Sequence, residues 1–411
     1  MLVSDKPLVI EGGKKLLNHD FRVTTLIPEE GISKAVEVMK TGKLYRYHCA
    51  LPEESEVSLL EKEFAEYVGA KYAVAVNSCG SAMYIALLCV GVQPGDKVLT
   101  PAFTFTAVPS AIVHAHAEPV LVECLDNYCI DPEDLEKKIT PETRVLLLSH
   151  MRGHISHMDK IIDICQKHGV VLLEDCAHGL GALWNNIPTG RFGKIGCYST
   201  QSNKIINSGE GGLLVTDDPL MITKAVLYAG SIENYWTKHF TQTDYFEELQ
   251  NRIPNFSLRM TNLSAALIRA QLSQLDDRID ALNTNYFELE KIVSSSDYIE
   301  VPQQYPQVRI AADTIQFNLI NFTADEALKF THIMGIEGIP TKVFGYLDNP
   351  RYFPSWQYIN NIEEIAKELP HTKEFLCYAC DIRLPCYLTM SDIKMVGDTI
   401  LRAVRYIKEG H

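Results

Sequence analysis

From Glu56 to Asp217 the chain alternates two spacings of apolar residues. EVSLLEKEFAEYVGA places Val57, Leu60, Phe64 and Val68 on one face of a helix. KYAVAV, which follows, is a short continuous apolar run of strand type ending at Asn77-Ser78-Cys79-Gly80. Helical spacing resumes from Ser81 to Val90, and the turn at Pro94–Asp96 leads into KVLTPA. Further apolar runs are PVLVE (119–123), RVLLLSH (144–150), VVLLED (170–175), IGCYS (195–199) and LLVTD (213–217). Helical stretches such as MDKIIDICQKHG (158–169) separate several of them. Near-continuous apolar strands alternating with helices predict an α/β fold: a largely parallel sheet covered on both faces.

Ligands of such sheets bind at the carboxyl ends of the strands. That directs attention to NSCGS, PAFTF, HMRGH, DCAH and STQSNK. Beyond the sheet, a long amphipathic segment (258–293) is predicted to lead out of the first domain. IQFNLINF (315–322) then reads as a strand, EALKFTHIMGIEGI as a helix and DIKMVGDTILRAVRYIKEG as a terminal helix. The expected organisation is an N-terminal segment (1–55), a large domain (56–257), a connecting helix (258–294) and a small C-terminal α+β domain (295–411). Nothing before Glu56 declares which domain that segment packs against. There is no internal repeat and no low-complexity tract.

Composition narrows the class of partner. The 411 residues, 46% hydrophobic and 22% charged, suit a folded chain of two or three domains. A net charge of −14 opposes non-specific binding to nucleic acid or to an anionic membrane. A local pocket can still take a small anion. The eleven cysteines are odd in number and several sit inside apolar runs such as IALLCV, so they read as reduced, buried thiols. The opening MLVSDKPLVIEGG lacks the features of a signal peptide. No apolar run approaches the roughly 18 residues that span a bilayer. The expectation is a cytoplasmic protein with neither nucleic acid nor membrane as partner.

The chemistry is concentrated in two residues. Asp175 in LLEDCAH and Lys204 in YSTQSNKIINSGEGG stand 29 residues apart, each following a strand. A carboxylate at a buried strand end is costly unless it meets a cation. The protonated ring nitrogen of pyridoxal 5'-phosphate (PLP) would be such a partner, and Lys204 could form the Schiff base with its aldehyde. Taken singly, an Asp and a Lys in these places are more often structural, and it is the neighbours that shift the weight. Gly80 and Ser81 open a helix after a strand, where free amides suit a phosphate, although a helix cap without a ligand looks the same. Ser199, five residues before Lys204, offers a hydroxyl to the same group. Phe105 in TPAFTFTA could stack on a planar ring or sit in the core. His178, three residues after Asp175, could reach a ring hydroxyl or cap a helix. Arg152 in HMRGH is a candidate for a substrate carboxylate, because a planar guanidinium suits bidentate recognition.

With these residues in place, the chain resembles the DegT/StrS-type sugar aminotransferases, PLP enzymes of fold type I. The resemblance runs from about Leu60 to Asp217 through EKEFAEYVGAKYAVAVNSCGSAMYIALL, GVQPGDKVLTPAFTFTA, HAHAEPVLVE, VVLLEDCAHGLGA and NKIINSGEGGLLVTDD. It resumes at LRMTNLSAALIRAQLSQLD (258–276) and thins towards the C-terminus. The resemblance implies a mainly parallel seven-stranded sheet covered by helices, followed by the smaller α+β domain. It implies that Lys204 is the Schiff-base lysine and Asp175 the partner of the pyridinium nitrogen. His178 then contacts the ring hydroxyl, Phe105 lies over the ring, and Gly80, Ser81 and Ser199 bind the phosphate. The activity implied is transfer of an amino group from glutamate or glutamine to a keto-sugar, sugar nucleotide or cyclitol, by a homodimer with shared active sites. The alternatives are a PLP-dependent sugar dehydratase and a non-catalytic PLP-binding protein. Such dehydratases usually replace the lysine by histidine, and nothing at these positions looks disabled.

Three departures qualify the resemblance. Ser78-Cys79-Gly80-Ser81-Ala82 stands where the family commonly reads Ser-Gly-Thr-Ala-Ala, which moves the hydroxyl by one position; backbone amides are still expected to hold a phosphate. Ser257 stands where an Asn of the neighbouring subunit often touches the phosphate. TKVFGY (341–346) replaces a His-Tyr pair, and with QSNK it looks like the branch acting on cyclic polyols or 3-amino-5-hydroxybenzoate. Competing motifs fail. RFGKIG breaks the Walker A pattern after its lysine, and GEGG precedes its strand. His150, His154 and His157 match no zinc spacing, and CYAC (377–380) has no strand feeding it, so neither a metal nor a redox pair is expected.

Overall fold

A computed structural model describes residues 7–410; the first six residues of the opening segment and His411 lie outside the described residues. The seven apolar runs form β1 (Tyr72–Val76), β2 (Lys97–Pro101), β3 (Glu118–Val122), β4 (Thr143–Ser149), β5 (Val171–Asp175), β6 (Ile195–Ser199) and β7 (Gly212–Thr216). They make one sheet in the order β1-β7-β6-β5-β4-β2-β3. The neighbours from β3 to β6 are parallel, while β7 runs antiparallel to both β1 and β6. Alternate residues of one strand enter two different cores, which is why the runs are apolar at every position. Leu146 and Leu148 of β4 join a cluster with Val57, Leu60, Met158 and Ile161, whereas Val145 and Leu147 join Ile85, Ile112 and Ile222 on the opposite face. Burying each such side chain contributes about 1.5–3 kcal/mol.

The covering helices begin and end where their caps dictate. α1 (Glu29–Thr41) and α2 (Glu56–Val68) each stop at a glycine in the left-handed conformation, Gly42 and Gly69. Ser55 caps α2 by accepting from the Ser58 amide at 3.3 Å. The remaining large-domain helices are α3 (Cys79–Cys89), α4 (Ala107–His114), α5 (Pro132–Lys138), α6 (Met158–His168) and α7 (Pro219–Ala229).

The segment expected as one connecting helix is two, α8 (Asn262–Leu272) and α9 (Leu275–Val293). The break at Ser273-Gln274 lets Leu272 and Leu275 both turn inward, and Asp276 and Asp277 complement the new N-terminus. The small domain holds β8 (Ile299–Glu300), β9 (Thr314–Leu319), α10 (Ala324–Ile336), β10 (Thr341–Val343), β11 (Ala379–Arg383) and α11 (Met390–Lys408). Its sheet is antiparallel in the order β8-β9-β11-β10. β11 grows directly out of CYAC, a strand the sequence did not announce.

The N-terminal segment ties the two units together. Val9 donates its amide to Glu337 beside α10 at 2.6 Å, while α1 lies along α8. Arg46 meets Glu61 of α2 at 2.9 Å in a fully buried ion pair that also touches His239. Burial alone would raise the Glu61 carboxyl, yet Arg46 and His239 hold it down at about 2. All eleven cysteines are free, and only Cys377 and Cys386 are less than fully buried. No helix among the described residues is long and apolar enough to cross a membrane.

Candidate active site

The carboxyl end of β5 presents two acids to opposite sides, as strand alternation requires. Asp175 is buried and accepts from the Ser149 hydroxyl at 2.7 Å and the Ala177 amide at 3.1 Å, with the Cys79 thiol at 3.7 Å. Among the described residues no cation pairs with it. Glu174 faces the other way and accepts from the amides of Gly190, Phe192 and Gly193 at 2.7–2.8 Å and from His150 Nε2 at 3.0 Å. His150, Glu174 and Cys176 therefore lie within ligand reach of one another, but four hydrogen bonds already occupy the carboxylate. The three histidines of HMRGHISHMD disperse: His154 bonds Gln316 and Gln304, and His157 packs on Trp184 and Tyr305.

Lys204 sits in the turn after β6 and its Nζ donates to His178 Nε2 at 2.8 Å. The imidazole proton then belongs on Nδ1, which has no hydrogen-bond partner. The Asp313 carboxylate stands 3.9 Å from Nδ1, an attraction rather than a hydrogen bond. Burial pushes the Lys204 amine down to about 8, helped by Arg152 and opposed by Asp313 and Asp175. Burial and the Lys204 charge together push His178 well below its ordinary value. Asp313 resists burial because His178, Lys204 and Arg152 hold it down at about 2. Sequence reasoning missed Asp313. It lies where the family resemblance thins, and its one signal is an acid immediately before the apolar strand β9.

A pH experiment follows from this arrangement. Only the neutral amine is a nucleophile, so acetylation of Lys204 in the cofactor-free protein is expected to rise through a midpoint near pH 8. Exposed lysines should rise near 10.4. In Asp313→Asn the Lys204 midpoint should fall further, because a carboxylate that favours the ammonium is gone. Peptide mapping by mass spectrometry reads both values, and a Lys204 midpoint among those of the surface lysines would refute the account.

The start of α3 reaches the same strand end through the Cys79 thiol, 3.7 Å from Asp175. Ser78 caps α3 by accepting from the Ser81 amide at 3.0 Å, and the Ser81 hydroxyl donates to Asn77 at 2.7 Å. A Cβ on Gly80 would meet nothing closer than 3.7 Å, so the first turn of α3 is open. Gly212 pairs with Val76 on one side and Ser199 on the other. A Cβ at Gly212 would stand 2.4 Å from the Ser78 carbonyl carbon, so only glycine lets Ser199 and the start of α3 close around one space. Phe105, just beyond β2, is 39% exposed and so is not a core residue. Ser257 is in an exposed loop with φ +55° and bonds Asn255. Arg152, in the left-handed conformation after β4, is buried and paired with Asp381 of β11.

An α/β enzyme with an amine, an imidazole and an unpaired acid at adjoining strand ends, closed over by a second antiparallel sheet, is of the aminotransferase class. The chain belongs to the DegT/DnrJ/EryC1/StrS aminotransferase family, whose model matches residues 27–401. It is 31% identical over 293 residues to GDP-perosamine synthase of Caulobacter vibrioides, covering 68% of this chain and 74% of that protein. L-glutamine:scyllo-inosose aminotransferase of Streptomyces griseus is 34% identical over 216 residues, 52% of this chain and 51% of that protein. A Streptococcus pneumoniae chain assigned as a sugar aminotransferase, solved in its PLP form, shares the fold with a TM-score of 0.82 at 20% identity, over 95% of this chain and all of that one.

Proposed function

We propose that this protein uses PLP to move an amino group from glutamate or glutamine to a ketone of a sugar, sugar nucleotide or cyclitol. The carrying observation is a pair of deficits on one space. Among the described residues, Lys204 is a depressed amine hydrogen-bonded only to the His178 imidazole, and Asp175 is a buried carboxylate with no paired cation. A pyridine ring bearing an aldehyde answers both, so the residues fit PLP. Lys204 would hold its aldehyde carbon, Asp175 its ring nitrogen, His178 its hydroxyl and Phe105 its face. Gly80, Ser81 and Ser199 would hold the phosphate. When bound, the group supplies a sink for negative charge developing on the substrate carbon.

The chain's own residues do the rest. Asp175 would accept from the facing ring nitrogen, while Ser149 and the Ala177 amide fix its orientation. Lys204 Nζ takes and returns the proton at the substrate carbon, and a pKa near 8 lets it do both close to neutral pH. His178 steers the amine by accepting from it, and Asp313 sets the charge balance around both. The reading places the protein in the cytoplasm as a homodimer.

The test is a product assay with ¹⁵N-labelled L-glutamine and L-glutamate as donors. Ketocyclitols, including scyllo-inosose, and keto-sugar nucleotides serve as acceptors. One acceptor is expected to gain labelled nitrogen. Loss of water from the sugar without nitrogen gain would replace the reading by the dehydratase.

A further inference from the structure

The small domain presents cations that the chemistry above leaves unused. On its antiparallel ladder Gln316 of β9 and Lys342 of β10 both pair with Asp381 of β11, and Arg383 lies two residues along the same strand. Those four side chains therefore share one face. That face meets the large domain at three points, the first being His154 on Gln316. Arg152 bonds Asp381, and Arg383 bonds Asn203, the residue immediately before Lys204. Arg351 completes the group, its guanidinium 5.2 Å from the centre of the Phe105 ring.

The charges do not balance. Asp381 answers Arg152 and also accepts from Gln316 at 2.8 Å. Arg351 has no such answer. It is only 9% exposed, its Nε has no hydrogen-bond partner, and no carboxylate among the described residues pairs with it. Burial, with the nearby Arg152 and Arg383, pushes its guanidinium down to about 9 against the opposing pull of Asp381, which is already bonded to Arg152. A buried guanidinium with no hydrogen-bond acceptor among the described residues has its planar fork of donors free for a ligand.

We propose that Arg351, flanked by Arg383 and Lys342, binds a carboxylate of the substrate. The position restricts the ligand. Arg383 bonds the residue before Lys204, and Arg152 acts on both Lys204 and Arg351, so an anion at Arg351 lies on the Lys204 side of the small domain. A carboxylate matches a guanidinium through two parallel N–H bonds. An amino-acid donor carries one on the reacting carbon, and an acidic keto-sugar would carry one further away. Arg152, the sequence's candidate for this role, is paired with Asp381 and ties that acid to the turn after β4. The inference rests on the aminotransferase reading for the identity of the ligand, but not for the existence of the site.

The holoenzyme and its Arg351→Gln variant separate the possibilities. Calorimetric titration with glutarate, which has carboxylates but no amine, is expected to show binding to the wild type and none to the variant. Because it needs no turnover, this measurement decides the site even if amine transfer is refuted. In the spectral change driven by L-glutamate, the half-saturating concentration should rise about 30-fold, the loss expected for a charged hydrogen-bonded contact. That for scyllo-inosose, which is uncharged, read in the reverse spectral change on enzyme first aminated by L-glutamate and freed of it, should stay within about threefold. Unchanged L-glutamate with a weakened keto-uronate would assign the site to an acidic acceptor rather than the donor. The thermal midpoint of Arg351→Gln should not fall, since an unpaired buried charge is removed. Arg383→Gln supplies a second variant with the same glutarate readout. Glutarate binding equal to wild type in both variants, or equal weakening of L-glutamate and scyllo-inosose, overturns the proposal.

Discussion

Lys204→Ala is expected to lower steady-state amine transfer by about 10⁴-fold, the upper range for loss of a positioned acid–base group. The argument begins in the turn after β6. The backbone there is held independently of the side chain: the Lys204 amide donates to Gln201 at 2.9 Å and its carbonyl accepts from Thr25 at 3.0 Å. Alanine should leave that turn in place. What disappears is the amine and its contact with His178, so the imidazole is freed rather than the fold disturbed. Thermal unfolding should show no loss of stability, because a desolvated amine without a carboxylate in contact contributes little to it. Steady-state assay, the visible absorbance of the bound cofactor and a thermal scan together check the prediction. A variant that retains full turnover would remove Lys204 from the chemistry.

Asp175→Asn should cost about 10²–10³-fold in the same assay, the typical loss when one preorganised electrostatic group is removed. Asn has nearly the same shape. Ser149 and the Ala177 amide bond different oxygens of Asp175, so the Asn Oδ1 can keep the Ala177 amide while its Nδ2 donates to the Ser149 hydroxyl, which turns to accept. The charge alone is lost, and with it the reason for a facing pyridine nitrogen to hold a proton. Stability of the cofactor-free protein should not fall, because the carboxylate is buried beside Ser149, Ala177 and Cys79 with no cation. A rate within threefold of wild type would show that Asp175 serves the fold and not the reaction. Single-turnover measurement with L-glutamate separates this effect from substrate affinity.

The residues of the site differ in how legible they were. Asp175 and Lys204 follow strands whose apolar pattern is plain in VVLLED and IGCYS, and both strands are in the sheet. The same holds for Gly80 and Ser81, which open α3 behind a serine cap. Asp313 and Arg351 come from the region where the patterning is weaker. Their meaning depends on contacts with His178 and Phe105, which no local spacing reports. Arg152 was visible as a candidate, but its partner Asp381 lies in a strand that grows from a segment read as strandless.

Local sequence determined the elements: seven apolar runs, the serine caps, the glycine stops, the acid that ends one strand and the amine that follows another. These follow from short-range sterics, hydrogen bonding and the side-chain period, and a chain carries that information wherever it folds. Tertiary structure decided the direction of β7, the splitting of 258–294 into α8 and α9, and the scattering of the three histidines. It also decided the charge state of the site. A pKa depends on burial and on which charges are near, and those neighbours come from both domains.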